Sequence, residues 1–345
     1  MRVKKYLCLF VVILFPVLLF GCRGEKEKGR EIETLKDYYP FHENLKKVYE
    51  GVGSELSNYV TFIEYTEENK AQIKVFNPAT VMVKVVEYEN GQLRETYRQE
   101  EFYHIENKLQ AHNIVDNVLL KEPLKVGNSW STPDRYKRTI TGIDVDITTP
   151  YKKFKAIEVT TEYGENRRQL DYYVKDIGHV ATIYIDGDME IKSLLKDMAR
   201  EPYKFNMKFY YPTLDMEVVY VERQVDFNTN WDIKNIFETY MKKPEYTGLL
   251  PLLEEGVKIN SITYDKADGL IRIDFSKGLL SSMEREGFNE ILGLKSIVNT
   301  IGSYYNVKKV YLSVEGKPYS SKLFTLEEDE FFNVDYTHTK EYQKN

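Results

Sequence analysis

Residues 81–103 read VMVKVVEYENGQLRETYRQEEFY, and the turn at their centre decides the fold of the first half of the chain. Val81, Val83 and Val85 alternate along one side of an extended segment that runs into Asn90 and Gly91. Both of those residues tolerate positive φ, so they suit the tight two-residue turn between antiparallel strands, and Gln92 to Tyr103 is the expected return strand. Upstream, Tyr59, Thr61, Ile63 and Tyr65 alternate, and Glu68, Asn69 and Lys70 separate them from a strand at Ala71 to Phe76. Downstream, Phe154–Thr161, Gln169–Val174 and Val180–Ile185 are punctuated by turns at Gly164–Asn166 and Asp176–Gly178, which describes a three-stranded meander. An antiparallel, strongly curved sheet over residues 37–196 is the expectation.

Composition agrees with a sheet-rich, folded body. The chain has 345 residues, 42% of them hydrophobic and 30% charged, which excludes disordered, collagenous and multispanning membrane classes. Its 28 Tyr against 17 Phe and 2 Trp favour half-exposed strands, where a ring packs and its hydroxyl stays wet. Net charge is −6, and it becomes −9 when Arg2, Lys4 and Lys5 leave with the N-terminal leader described below. An acidic balance of that kind argues against nucleic acid as a partner.

From Glu201 the pattern changes. Phe205–Tyr211 and Met216–Val225 read as strands. Ile233, Ile236, Phe237, Tyr240 and Met241 recur at helical spacing, so Trp231–Lys242 is an expected amphipathic helix ended by Pro244. Ile259–Tyr264 and Leu270–Ser276 form an expected hairpin closed by Asp268-Gly269. Asn289–Tyr305 is a second helix and Lys308–Val314 a final strand. The order ββαββαβ makes this half α+β, with helices layered on a mostly antiparallel sheet. The second helix's apolar stripe reads as core, and the segment 320–345 reads as a polar tail, at most partly ordered.

These residues carry a resemblance. Phe209, Tyr210, Tyr211, Pro212, then Leu249–Leu253, Gly256, Val257, Lys258, Ile259 and Ile273, Asp274, Phe275, Ser276 are similar to the GerMN domain. The likeness continues through Leu294, Ser296, Ile297, Val298 and Thr300 to Val307, Val310, Val314, Glu315, Gly316 and Lys317, and it spans residues 201–319. The resemblance implies an envelope lipoprotein linked to sporulation and spore germination. It also implies a module related to the ring-building domains of secretion and sporulation complexes, which act by assembly and have no catalytic residues to transfer. More loosely, Leu124–Trp130 with Tyr172–Val180 resembles the β-rich leading region of lipoproteins from clostridia and related bacteria. The concave face of such a sheet is expected to be covered by loops and helix.

The N-terminus supplies an address. Arg2, Lys4 and Lys5 precede an apolar run from Tyr6 to Phe20, shorter than a bilayer span. Leu19, Phe20, Gly21 and Cys22 resemble the lipobox of bacterial lipoprotein leaders. Residues 1–21 are then a removable signal peptide, and 22–36 a charged tether. Cys22 is the lipidation site, at the extracytoplasmic face of the cell membrane. Two acyl chains make such an anchor stable. Cys8 is the chain's one other cysteine and leaves with the leader, so the remaining chain has no disulfide.

Candidate chemistry is sparse. Asp226, Asn228, Asn230 and Asp232 mimic the opening of a calcium loop, but Trp231 stands where glycine is needed, so strand end and helix cap explain them better. His104 and His112, with Glu101 or Glu106, are candidate metal ligands better read as scattered histidines. Glu254 with Glu255, and Glu327–Glu330, are acid clusters better read as solvated faces. Gly51-Val52-Gly53 is a fragment of a phosphate-binding pattern that lacks its third glycine. The expectation is a non-catalytic envelope lipoprotein with no catalytic, cofactor or metal site. Its expected partners are the membrane, envelope or sporulation proteins, a second copy of itself, or peptidoglycan. The alternatives are a carrier or sensor of a hydrophobic or glycan ligand, or a peptidoglycan-modifying enzyme or its targeting subunit. A carrier requires an apolar concavity containing tyrosines and Trp130. An enzyme requires acids converging in a cleft.

Overall fold

A computed structural model describes residues 34–343, so the leader, Cys22 and nearly all of the tether lie outside the described residues. A short helix α1 (Leu35–Tyr38) leads into twelve strands: β1 (Leu45–Val52), β2 (Tyr59–Thr66), β3 (Lys70–Phe76), β4 (Val81–Glu89), β5 (Gln92–Gln99), β6 (Asn117–Lys121), β7 (Ser129–Ser131), β8 (Lys137–Thr148), β9 (Lys153–Gly164), β10 (Arg167–Val174), β11 (Gly178–Asp186) and β12 (Met189–Arg200). They form one sheet in the order β6-β5-β4-β3-β2-β1-β12-β11-β10-β9-β8-β7. Every pairing in it is antiparallel.

The Asn90-Gly91 turn forms as expected, with φ of 51° and 68° and Glu89 paired to Gln92. Its return strand ends at Gln99, short of Tyr103. Glu101 takes a positive φ of 52°, and the chain leaves the sheet to bury Phe102, Ile105 and Leu109. Repeated register shifts mark bulges that raise the curvature. The sheet curls until its two edges, β6 and β7, face each other across a seam. There Val118 O accepts hydrogen bonds from Trp130 Nε1 (2.9 Å) and Arg138 Nη1 (2.5 Å).

The second half contains β13 (Tyr203–Pro212), β14 (Val218–Phe227), α2 (Ile233–Lys242), β15 (Ile259–Asp265), β16 (Leu270–Phe275), α3 (Gly278–Glu284), α4 (Glu290–Tyr305), β17 (Lys309–Val314), β18 (Lys317–Pro318), β19 (Phe332–Asn333) and β20 (Thr339–Glu341). The ββαββαβ order is present with α3 added. Its strands divide between two sheets, β13-β14-β20 and β15-β16-β17-β18, with β19 beside β17. Helix α2 starts where Asp232 accepts a hydrogen bond from Lys234 N, and it buries Ile233, Ile236, Phe237 and Met241.

Helix α4 buries far more than a stripe. Ser296, Asn299 and Thr300 are as buried as Ile297 and Ile301. The segment expected to be at most partly ordered explains this, because it packs over the polar side of α4. Asn299 Nδ2 donates to Asp335 O (2.7 Å), Asn299 Oδ1 accepts from Asp335 N (2.9 Å), and Lys295 Nζ pairs with Asp335 at 2.7 Å. A Cβ on Gly302 would come within 2.2 Å of Val334, so glycine is what allows the tail this close. Strands β19 and β20 then pair with β17 and β14.

The two halves share one core. Phe62, Tyr65 and Val85 on the outer face of the large sheet, with Ile105 and Leu109, join Phe209, Phe227, Phe237 and Ile301 in a single buried cluster.

Candidate functional site

Alternation along the strands fixes what faces inward. Tyr59, Thr61 and Ile63 of β2, Ile73 and Val75 of β3, and Met82, Lys84 and Val86 of β4 line a cavity of about 390 Å³ inside the curled sheet. Helix α1 lies across one end, tied there by Asp176 N to Asp37 O (2.7 Å) and Leu35 N to Glu122 Oε1 (3.2 Å). The expected cover of loop and helix is therefore present, and it leaves a chamber beneath it. The tyrosines of a carrier are there too, with Tyr49 and Tyr59 stacked at 4.3 Å. Trp130 is not among the lining residues and instead bridges the seam.

The chamber is unusually charged for the inside of a sheet. Lys47, Lys84, Arg98, Arg138, Glu95 and Asp171 all line it. Both carboxylates are hydrogen-bonded. Glu95 accepts from Arg98 Nε (2.5 Å) and Nη2 (2.9 Å), while Asp171 accepts from Gln169 (2.8 Å) and Thr182 (2.7 Å) and contacts His179 Nε2 at 3.3 Å. Burial raises the pKa of each acid, yet Lys84 and Arg98 hold Glu95 below the usual range, and His179, Thr182 and Gln169 hold Asp171 below it. Both are held in the ionised form, so neither is a proton donor near neutral pH.

The cations differ among themselves. Arg138 is fixed by Thr161, Asn117 and Val118. Lys47 donates to Ile177 O (2.5 Å) and His179 O (3.2 Å) and has no carboxylate, so burial lowers its pKa to about 7. Lys84 makes no hydrogen bond and no ion pair among the described residues, and burial lowers its pKa while Glu95 opposes the shift.

The residues singled out in the sequence fall elsewhere. Asn228 receives Asn44 Nδ2, Asn230 Oδ1 accepts from Thr66 N, and Asp232 caps α2, so three of the four calcium-loop mimics join elements together. Asp226 pairs loosely with Lys204 at 3.9 Å. His104 does meet Glu106 (3.1 Å), but Glu101 turns to Lys266 (3.5 Å). Glu255 pairs with Lys243, and Glu327–Glu330 are exposed. Gly51 is packed against Ser57 and Asn58 of the turn that follows β1. Sequence reasoning missed the cavity, and the signal that could have found it is Lys84, the one charge among the inward-facing Met82, Lys84 and Val86.

Residues 208–320 match the family model Germane, described as sporulation and spore germination, so the chain carries a domain of that family across β13 to β18. Among solved structures, the tandem GerMN domains of the sporulation protein GerM from Bacillus subtilis are similar at 17% identity, with a TM-score of 0.28 over 34% of this chain. The chain spans 41% of that tandem structure. An exported protein with a YmcC-like fold from Bacteroides fragilis is similar over 47% of this chain and 98% of its own (10% identity, TM-score 0.30). A lipoprotein from Clostridium perfringens is similar over 36% of this chain and 85% of its own (18% identity, TM-score 0.21). TM-scores this low carry no argument, and the assignment rests on the family model. No curated protein matches the chain. Among the described residues, no helix is long and apolar enough to cross a membrane.

Proposed function

We propose that the protein is a non-catalytic envelope lipoprotein, anchored through Cys22 at the extracytoplasmic face of the cell membrane. It serves as an assembly or partner-binding component in sporulation or spore germination. The observation that carries this reading is the Germane match over residues 208–320. The edge of β15 supports it: among the described residues β15 pairs only with β16, and past its start, where Glu238 and Lys234 of α2 cap Ile259 and Asn260, its outer edge can accept a strand from a partner or a second copy. So does the shared core, which mounts the Germane domain rigidly on the large sheet.

Two experiments test the reading. Cys22→Ser should abolish labelling by a fatty-acid probe, and unchanged labelling would refute the anchor. Crosslinking the tagged chain in growing and in sporulating cells should recover sporulation or germination envelope proteins, or a ladder of the chain itself. Recovery of wall fragments alone would sink the assembly role. A second reading, an extracytoplasmic carrier or sensor, is favoured by the cavity in the large sheet.

A further inference from the structure

We infer that the cavity inside the twelve-stranded sheet binds a small molecule with a carboxylate on a ring-sized body, and that Lys84 is the partner of that carboxylate. The inference rests on the cavity and not on the assembly role, so its failure would leave the Cys22 and crosslinking tests untouched.

The first argument is electrostatic. Lys84 is partly exposed to the cavity, and its ammonium makes no hydrogen bond and no close ion pair to the described residues, so its donors are left to what occupies the cavity. Its cross-strand partner in the β4–β5 register is another cation, Arg98. Like charges placed directly opposite one another destabilise a sheet. Glu95 acts on both Lys84 and Arg98, and one carboxylate against two cations leaves an excess. The lining holds four cationic side chains, Lys47, Lys84, Arg98 and Arg138, against the two carboxylates Glu95 and Asp171. A sheet interior built this way is complementary to an anion that is not part of the chain.

The second argument selects the kind of anion. Arg98 and Arg138 are already held by protein acceptors, and Lys47 by two carbonyls, so one cation remains with all its donors free. A phosphate monoester brings nearly two negative charges and three acceptor oxygens, more than one free ammonium satisfies. A carboxylate brings one charge and accepts well from a single ammonium.

The third argument concerns the rest of the ligand. About 390 Å³ lies at the small end of ligand pockets, enough for a ring and its substituents. The stacked pair Tyr49 and Tyr59, with Ile63 and Ile73, offers flat and apolar surface on the wall that also carries Lys84.

The test uses the full chain in detergent and three carboxylate probes, benzoate, cyclohexanecarboxylate and glucuronate, each beside a neutral counterpart, benzamide, cyclohexanecarboxamide and glucose. Titration calorimetry and thermal melting read the outcome. At least one carboxylate should bind saturably and raise the melting midpoint while its neutral counterpart does not. Lys84→Met should weaken that binding roughly tenfold to a hundredfold, as expected for the loss of a charge-assisted hydrogen bond. The same variant should raise the midpoint of the free protein, because a cation directly opposite Arg98 that makes no hydrogen bond to the described residues has been removed. Three results would overturn the proposal: no carboxylate bound better than its neutral counterpart, equal binding by Lys84→Met, or a lower midpoint for free Lys84→Met, which would make Lys84 a structural residue.

Discussion

Lys74 and Lys84 are near neighbours on adjacent strands and face opposite sides of one sheet. In the β3–β4 register Ile73 lies opposite Lys84 and Lys74 opposite Val83. On the outer face, Lys74 is buried against the second half of the chain and has a carboxylate and a carbonyl as partners. Its Nζ lies 2.7 Å from Glu64 Oε1 and donates to His104 O at 2.7 Å, while Gln72 Nε2 binds the other Glu64 oxygen at 2.8 Å. The segment that leaves β5 completes the belt, with Ile105 N donating to Tyr304 Oη and Lys108 N to Gln72. On the inner face, Lys47 is held by two carbonyls, and Lys84 makes no hydrogen bond or close ion pair among the described residues, with Glu95 acting on it only at longer range. The two faces show one residue type in two roles. Where two halves of the fold close on each other and exclude water, a buried charge must be fully paired. Where the sheet encloses a cavity, it can be left to pair with what enters.

The largest expected effect tests the outer face. Lys74→Met leaves the Glu64 carboxylate buried beside Gln72 alone, and breaking a buried pair from one side costs about 3–5 kcal/mol. Urea unfolding should show that loss. Adding Glu64→Leu should restore much of it, since the double variant removes both charges. A loss within about 0.5 kcal/mol of zero, the range of ordinary surface changes, would mean the belt does not bind the halves together.

The inner face should respond to pH in the opposite sense. Burial lowers Lys47 to about 7 from its ordinary 10.5. Between those values the unfolded chain holds a proton that the folded chain has given up, so unfolding takes one up and stability rises with pH. The destabilisation is fully present below pH 7. From pH 7 to 9, below the range in which tyrosines ionise, the wild type should gain about 2 kcal/mol that Lys47→Met does not. Parallel urea curves for the two proteins across that window would show that Lys47 is solvated, and the contrast between the faces would weaken.

Much of the fold was legible where local signals are strong. The Asn90-Gly91 turn, the meander of β9, β10 and β11, and helices α2 and α4 follow from turn chemistry and periodicity. Strand β12, with the sequence MEIKSLLKDMAR, was not legible, because its composition is that of a helix and only pairing to β1 and β11 on both sides makes it a strand. The tail was misread for a related reason. Its polar residues are matched to polar residues of α4, Asp335 to Asn299 above all, and that pairing exists only in three dimensions. The cavity was the hardest feature to foresee. Its charged residues come from β1, β4, β5, β8 and β10, so no stretch of sequence contains the site.

The smallest expected effect probes whether the two faces are independent. The sheet closes at the β6–β7 seam through side chains, with Val118 O accepting from both Trp130 Nε1 and Arg138 Nη1. Trp130→Phe removes one donor and leaves Val118 satisfied by Arg138, so the cost should be about 0.5–1.5 kcal/mol. Amide exchange is the sharper measurement, because local opening is read strand by strand. Exchange should quicken in β6, which walls the cavity at the seam, and in β7 beside it, and stay unchanged in β2 and β3, which carry Glu64 and Lys74. Faster exchange in β3 as well would mean that opening the cavity loosens the junction with the Germane domain. A ligand in the cavity would then stiffen that junction too, and the inner face would be a control on the outer one.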